Sequence, residues 1–311
     1  MERRVSIGLL YVVGDEKYLK HYRKGMAKFL PNFFIPKIRP RIIHNIKGEE
    51  TEDIIVAGIN IKPIDLNNSH DLDGYLQGIR EVLTEDISRI YIEGQEKLNY
   101  KILKYIEDNI NIKVFYGEDI KIKYLPYIMK KIYRVLKDNL EEKEVLILDD
   151  NVNRVKKIIE AISKYVGYIT VVGLDEQEQN QLYEYILEET GISIFYPYNI
   201  EKIAGNYSII INFMDNAELL FNRLKKHSLV FDFSQGEYEG LKNRPPLIRD
   251  FYFIFKNIKV ENLIVDTKIS SSLFEALSLT QYSDDVLLYA EDIHYTIRSY
   301  VDNFMKFKGR F

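Results

Sequence analysis

Glu144-Val-Leu-Ile-Leu148-Asp-Asp-Asn-Val-Asn-Arg154-Val-Lys-Lys-Ile-Ile-Glu-Ala-Ile162 is the stretch that decides the fold. A short apolar run between charged flanks suits a parallel strand covered on both faces. Val155, Ile158, Ile159, Ile162 and Val166 then recur at helical spacing. The pattern repeats downstream, with strand-like runs at 168–172, 192–196, 208–212 and 229–233 and a helix-like run at 177–189. Strands alternating with helices in this way predict βαβ units and a doubly wound parallel sheet.

Upstream the alternation is similar. Strands are predicted at 5–13, 41–46, 53–61, 87–92 and 110–115, and helices at 16–30, 72–83, 96–106 and 124–140. Charged residues from Lys137 to Glu144 mark a boundary. Beyond 268 the spacing predicts helices at 271–279 and 286–304. The expected organisation is an N-terminal α/β domain over 1–122, a connecting helix over 123–143, a doubly wound domain over 144–268 and C-terminal helices over 269–311. Those last helices are expected to pack back on the first lobe, so that the two α/β lobes flank a ligand cleft.

The composition narrows the function classes. The chain has 311 residues, 46% hydrophobic and 29% charged, as in a globular protein of about two domains. Its net charge of −4 gives no general footprint for nucleic acid, so none is expected as a partner. The absence of Cys excludes disulfides, thiolate metal sites and a cysteine nucleophile. Residues 1–14 lack the long apolar core and cleavage site of a signal peptide, and no run reaches the ~18–20 apolar residues of a membrane span. A cytoplasmic protein without a membrane partner is the expectation. The 24 tyrosines suit interfaces and are compatible with a homodimer.

The turn after the first strand of the second region is informative. A dinucleotide-binding unit carries G-x-G-x-x-G there, because the pyrophosphate meets bare backbone at a helix N-terminus. Here the turn reads Asp149-Asp150-Asn151-Val152-Asn153-Arg154. Asp149 stands at the tight-turn position, Asn151 at the close-approach position and Arg154 where a small residue lets helix and strand touch. Asp150 or Asn151 is expected to cap the helix. Beside this cap and normal NAD binding stands an altered ligand mode, such as a nucleoside without phosphates or a metal-bridged anion. The acidic pair is not accompanied by the Asp and Lys that a phospho-accepting receiver domain needs. Asp175, after the second strand, is placed either to meet a ribose or to cap the next helix with Glu178 in a capping box.

With these pieces in order, the second region resembles the NAD(P)-binding domain of shikimate-dehydrogenase-like and predicted amino-acid dehydrogenases. It is most similar to the long-chain acyl-carrier-protein reductases. The matching pieces are Glu144–Leu148 as first strand, Ser208-Ile-Ile-Ile-Asn212, Leu229-Val-Phe-Asp-Phe-Ser-Gln235 and Ser270-Ser-Ser-Leu-Phe-Glu-Ala-Leu277. The resemblance spans about residues 110–280. It implies a Rossmann-like second domain, NAD(P) as cofactor, and a cleft lined by Asn212, Met214, Asp232, Ser272 and Glu275. It also implies cofactor-binding positions at Asp149, Asn151, Asp175, Asn212 and Met214. Where the reductases have an acyl-accepting Cys, this chain has Ser272, three residues before Glu275, so their thioester chemistry is not expected here. The bland alternative for Ser270–Ser272 is a helix cap, with Glu275 closing a box on Ser272.

The remaining candidates are weaker. Lys62, after the Asn60-bearing strand, matches only loosely the catalytic lysine of shikimate-type dehydrogenases. His44 follows a strand and is a candidate general base, the alternative being an ordinary surface or hydrogen-bonded histidine, and His21, His44, His70, His227 and His294 form no zinc-binding pair on one helix face. Lys20, Arg23, Lys24, Lys28, Lys37, Arg39 and Arg41 are interleaved with Tyr22, Phe29, Phe33 and Phe34, and are expected to form a solvated face, the alternative being a surface for single-stranded nucleic acid or an anionic head group. Three functional readings follow. The first is a dehydrogenase-like protein with a degenerate dinucleotide loop, a divergent or inactive ligand-binding member whose cofactor is unassigned. The second is a functional NAD(P)-dependent oxidoreductase, with Lys62, Ser272 and Glu275 as catalytic candidates. The third is a non-enzymatic interaction or assembly protein.

Overall fold

The structure is a computed structural model, and it describes residues 8–23, 31–46, 53–95, 98–234, 236, 244–254, 268–279 and 285–306. Residues 5–7 of the first predicted strand, 24–30 of the first predicted helix, 96–97 and Gln235 lie outside the described residues, as do Lys24, Lys28 and Phe29 of the basic stretch. The chain divides into two compact units. Unit one comprises residues 1–118 and 255–282, and unit two residues 119–254 and 283–311.

Unit one holds β1 (Gly8–Val13), α1 (Asp15–Tyr22), β2 (Ile38–Ile46), β3 (Ile54–Asn60), α2 (Ser69–Val82), β4 (Ile87–Ile92), α3 (Tyr100–Ile110) and β5 (Lys113–Val114). Its sheet runs β2-β3-β1-β4-β5. β3, β1, β4 and β5 are mutually parallel, and β2 is an antiparallel edge. Every residue of β1 is buried. The stripes Tyr75, Leu76, Ile79 and Val82 of α2 and Leu103 and Ile106 of α3 pack on this sheet with Leu10, Val12, Ile59 and Ile90. The helices start where the sequence supplies a cap. Asn68 accepts the His70 and Asp71 amides, and Asn99 accepts that of Lys101.

α4 (Glu118–Leu136) begins six residues before the predicted 124 and ends four before 140. Unit two then supplies β6 (Glu144–Leu148), α5 (Val152–Ile162), β7 (Tyr168–Val172), α6 (Glu176–Thr190), β8 (Ile194–Phe195), α7 (Ile200–Ile203), β9 (Ile209–Asn212), α8 (Glu218–Phe221), β10 (Leu229–Asp232) and β11 (Leu247–Ile254). The parallel strands lie in the order β8-β7-β6-β9-β10-β11. Numbered within the unit this is 3-2-1-4-5-6, the doubly wound Rossmann order, with its direction reversing between β6 and β9. β6, β9 and β10 are buried almost throughout, which explains their near-continuous apolar sequence. Val155, Ile158, Ile159 and Ile162 place α5 against the sheet, each fully buried.

The C-terminal region departs from the sequence expectation. β12 (Lys268–Ser270) leads into α9 (Ser271–Ala276), which belongs to unit one and touches β4. The predicted helix over 286–304 is instead a hairpin of unit two, β13 (Val286–Ala290) and β14 (Ile293–Thr296), which extends the sheet antiparallel beyond β11. Only α10 (Ile297–Tyr300) and the turn Val301–Met305 are helical. The reason is local. Val-Leu-Leu-Tyr-Ala is a strand-forming run, and Glu291 and Asp292 both take φ > 0, at 47° and 60°, as a two-residue hairpin turn requires. β11 has no counterpart among the predicted strands, because Arg249 and Asp250 interrupt its apolar pattern.

Tyr18 of α1 shows how tightly unit one is closed. Its side chain is 1% exposed, and its hydroxyl donates to the Arg39 carbonyl at 2.6 Å. A Cβ on Gly58 of β3 would overlap the Tyr18 ring. Gly58→Ala is therefore expected to cost about 1–3 kcal/mol, the usual penalty of overpacking. Urea denaturation checks this, and an unchanged midpoint would contradict the packing.

Candidate functional site

The site with the most chemistry lies at the C-terminal rim of the unit-two sheet, where the strand order reverses. Ligands of open α/β sheets bind at this position. Asp149 directly follows β6. Its side chain is fully buried and receives Arg154 through two bonds, Nε to Oδ2 at 2.6 Å and Nη2 to Oδ1 at 2.7 Å. The Asn151 amide also donates to Asp149 Oδ1, at 3.0 Å. Asn151 is the N-cap of α5, its Oδ1 accepting the Arg154 amide at 3.1 Å. The capping expectation for the turn is met by Asn151.

A dinucleotide's diphosphate would need the backbone amides at this helix start. A carboxylate of the chain holds the Asn151 amide and the Arg154 guanidinium, and a side-chain amide holds the Arg154 amide. Gly173, after β7, has φ +121°, and a Cβ there would run into the Asp149 carbonyl and lie 3.0 Å from Met214 Sδ. Met214, Gly173 and Asp149 thus close around the turn. The residues present do not fit a diphosphate in the usual way.

The neighbouring strand ends form a second network. Asn212, the last residue of β9, donates from Nδ2 to the Met214 carbonyl at 3.0 Å and to Asp232 Oδ1 at 2.7 Å, and its Oδ1 accepts the Met214 amide at 3.1 Å. Asp232, the last residue of β10, also accepts the Ser234 hydroxyl at 2.7 Å and lies 2.6 Å from Arg249 Nη1. Arg249 further donates to the carbonyls of Ser234 and Gly236. Burial pushes the Asp232 carboxyl above the usual carboxylate range, against the opposite pull of Arg249, Ser234 and Asn212. Dehydration outweighs the ion pair here because the carboxylate is wholly enclosed. Lys121 of α4 lies 4.0 Å from Asp250 Oδ1 and 5.3 Å from the Phe233 ring centre, and Arg154 lies 4.5 Å from that of Phe213.

The predicted site residues are distributed as follows. Asp149 and Asn151 are hydrogen-bonded to each other, and so are Asn212 and Met214; all four belong to this rim of unit two. Asp175 stands apart as the N-cap of α6, in a capping box with Glu178. Lys62, Ser272 and Glu275 belong to unit one. Lys62 follows β3, its amide 3.4 Å from the Lys37 carbonyl. Ser272 is buried, its Oγ 3.1 Å from that of Ser270, which in turn lies 3.4 Å from the Tyr91 hydroxyl. The N-cap of α9 is Ser270, accepting the Leu273 amide, so Leu273 and not Glu275 stands at the third helical position and the expected box is absent.

Sequence reasoning missed Lys121 and Arg249, which lie far from the turn along the chain, and the pairing of Arg154 with Asp149. It also missed that the His21 and His44 rings approach to 6.2 Å. Among the described residues, no group of three or more acidic or histidine side chains is placed to hold a metal ion, and no helix is long and apolar enough to cross a membrane. In the basic stretch, Arg39 lies over the Tyr22 ring and donates to its hydroxyl, and Phe33 and Phe34 are exposed.

Two carboxylates of unit two should give opposite pH slopes. Asp232, raised by burial, favours the native state most at acid pH, and that contribution is lost as pH rises from about 3.9. For Glu291, burial acts to raise the carboxyl, but bonds from Arg244 and the Leu247 amide prevail and lower it, so its contribution is lost as pH falls below about 4.3. From pH 4 up to pH 7 wild type should lose stability relative to Asp232→Asn, and from pH 5 down to pH 3 it should lose stability relative to Glu291→Gln, as read by urea denaturation. Parallel slopes for the two variants would refute the assignment.

Neither a protein-family profile nor a curated protein matches the sequence. Among solved structures, the chain is similar to L-tryptophan dehydrogenase from Nostoc punctiforme (11% identity, TM-score 0.30, covering 77% of this chain and 66% of that one). It is similar to a chain of the dipicolinate synthase from Bacillus halodurans (11% identity, TM-score 0.33, 74% and 82%) and to shikimate 5-dehydrogenase from Listeria monocytogenes (11% identity, TM-score 0.28, 74% and 79%). The chain therefore spans just under two thirds of the first of these. At such overlap the likeness carries no argument about chemistry, and the doubly wound order rests on the strand register of the chain itself.

Proposed function

We propose that the chain is a divergent dehydrogenase-like ligand-binding protein that has given up normal dinucleotide binding, and with it nicotinamide-dependent catalysis. The observation that carries this is the buried Asp149 carboxylate. It takes the Asn151 amide, one of the helix N-terminal donors a diphosphate would use, and binds the Arg154 guanidinium beside it. A phosphate entering this turn would have to displace a tethered carboxylate and would then lie beside a buried negative charge. A small molecule without phosphates escapes both penalties.

Wild-type protein should therefore show no saturable change in NADH or NADPH fluorescence and no thermal shift at millimolar cofactor. A bound ligand at 100 times its dissociation constant would stabilise by about 2.7 kcal/mol, so binding would be plain. Asp149→Asn keeps the shape of the turn, removes the internal anion, and should gain measurable affinity for ADP. Saturable NADH binding by wild type would sink the proposal, and failure of Asp149→Asn to gain ADP binding would remove Asp149 as the cause. Arg154→Ala leaves a buried carboxylate without its cation and should cost about 3–5 kcal/mol in urea denaturation.

A further inference from the structure

The same rim contains an ordered row that the closed turn does not explain. Leu148 pairs with Asn212, Asn212 with Asp232 and Phe231 with Ile248. Carried past the strand ends, this register sets Asp149, Phe213 and Phe233 on one level across β6, β9 and β10, and Asp250 follows the bulge that β11 carries after Ile248, near enough for Lys121 to reach both it and the Phe233 ring. The inner pair are phenylalanines with ring centres 5.3 Å apart, and the outer pair are buried acids. Each acid faces a cation from a helix, Arg154 for Asp149 and Lys121 for Asp250, and each cation also lies over the neighbouring phenylalanine. The side chains of Arg154 and Lys121 keep 18% and 12% of their area exposed.

With Arg249 on Asp232 beside them, three cations face three carboxylates, and the rim carries no unmatched charge among these six. An anionic ligand would meet cations already matched and would bring a new negative charge beside Asp149 or Asp250. A cationic ligand would meet Arg154 and Lys121 above acids that are 0% and 3% exposed. An uncharged planar ring avoids both repulsions and loses little hydration on entry. A guanidinium is planar and weakly hydrated, so it stacks on rings readily. Arg154 offers this plane held in place, its Nε and Nη2 fixed by Asp149 and its Cζ 4.5 Å from the Phe213 ring centre.

We infer that the Asp149–Phe213–Phe233–Asp250 row is a binding site for an uncharged planar ring that stacks on Arg154, and that it selects against phosphorylated or carboxylated forms of the same ring. This rests on the closed-turn reading of the preceding subsection. The test is calorimetric titration of the full chain with matched pairs, adenosine against AMP and benzamide against benzoate. Adenosine and benzamide should bind at least about tenfold more tightly than their anionic partners, a gap of about 1.4 kcal/mol. Arg154→Lys retains a cation for Asp149 but removes the plane, and should weaken adenosine about tenfold while thermal unfolding shows the variant folded. Phe213→Leu removes the platform under Arg154 and should weaken adenosine as well. Equal or tighter binding of AMP, no binding of either neutral ring, or unchanged adenosine affinity in both variants would overturn the inference. NADH titrated alongside separates the two failures. Saturable NADH binding refutes the closed turn itself, whereas silence from NADH and the neutral rings together refutes only the ring site.

Discussion

The buried Asp149 carboxylate is the constraint on which the rest of unit two's rim depends. An ionised carboxylate at zero exposure is tolerable only if its oxygens are matched, and Arg154 and the Asn151 amide match them. That requirement fixes Arg154 over Phe213, and so fixes what a ligand would meet above β6 and β9. The glycines of a dinucleotide turn serve to admit an external anion. Here the anion is internal and covalently attached, so it holds its donors at a high effective concentration.

Unit one repeats the device with different residues. The order of its parallel strands also reverses, between β1 and β4. At that point Glu93, just after β4, accepts the Gly14 amide at 2.8 Å and pairs with Lys17 of α1. A carboxylate again occupies the start of the helix that follows the first strand, held by one backbone amide and one cation. Two strand-to-helix junctions in separate units are satisfied from within, by residues distant along the chain in one case and local in the other. Each unit's helix N-terminus is thereby stabilised without a ligand.

What the sequence made legible, and what it hid, follows from the range of the interactions. β6, α5, β7 and α6 are written locally: an apolar run between charges, a 3.6-residue stripe, and Asn151 and Asp175 as caps. The antiparallel extension was hidden because 286–296 carries apolar residues at spacings that suit a helix as well as a hairpin, and only the left-handed pair Glu291–Asp292 decides between them. β11 was hidden because its polar residues, Arg249 and Asp250, serve partners on β10 and α4. Their burial makes sense only once those elements are side by side.

The rim shows the same limit at finer grain. Arg154 sits at a position where a small residue was expected, and in sequence it is simply too large. In the fold it is the counter-ion of Asp149 and the cover of Phe213. The two departures from the glycine pattern therefore account for each other: Asp149 would be intolerable without Arg154, and Arg154 would have no reason to fold back without Asp149. Neutral drift from a dinucleotide turn would be expected to leave unpaired charge or a loosened loop. Here a bidentate pair lies over an aromatic ring, and Lys121 faces Asp250 beside it, so each of these buried acids has a cation of the chain within 4.0 Å.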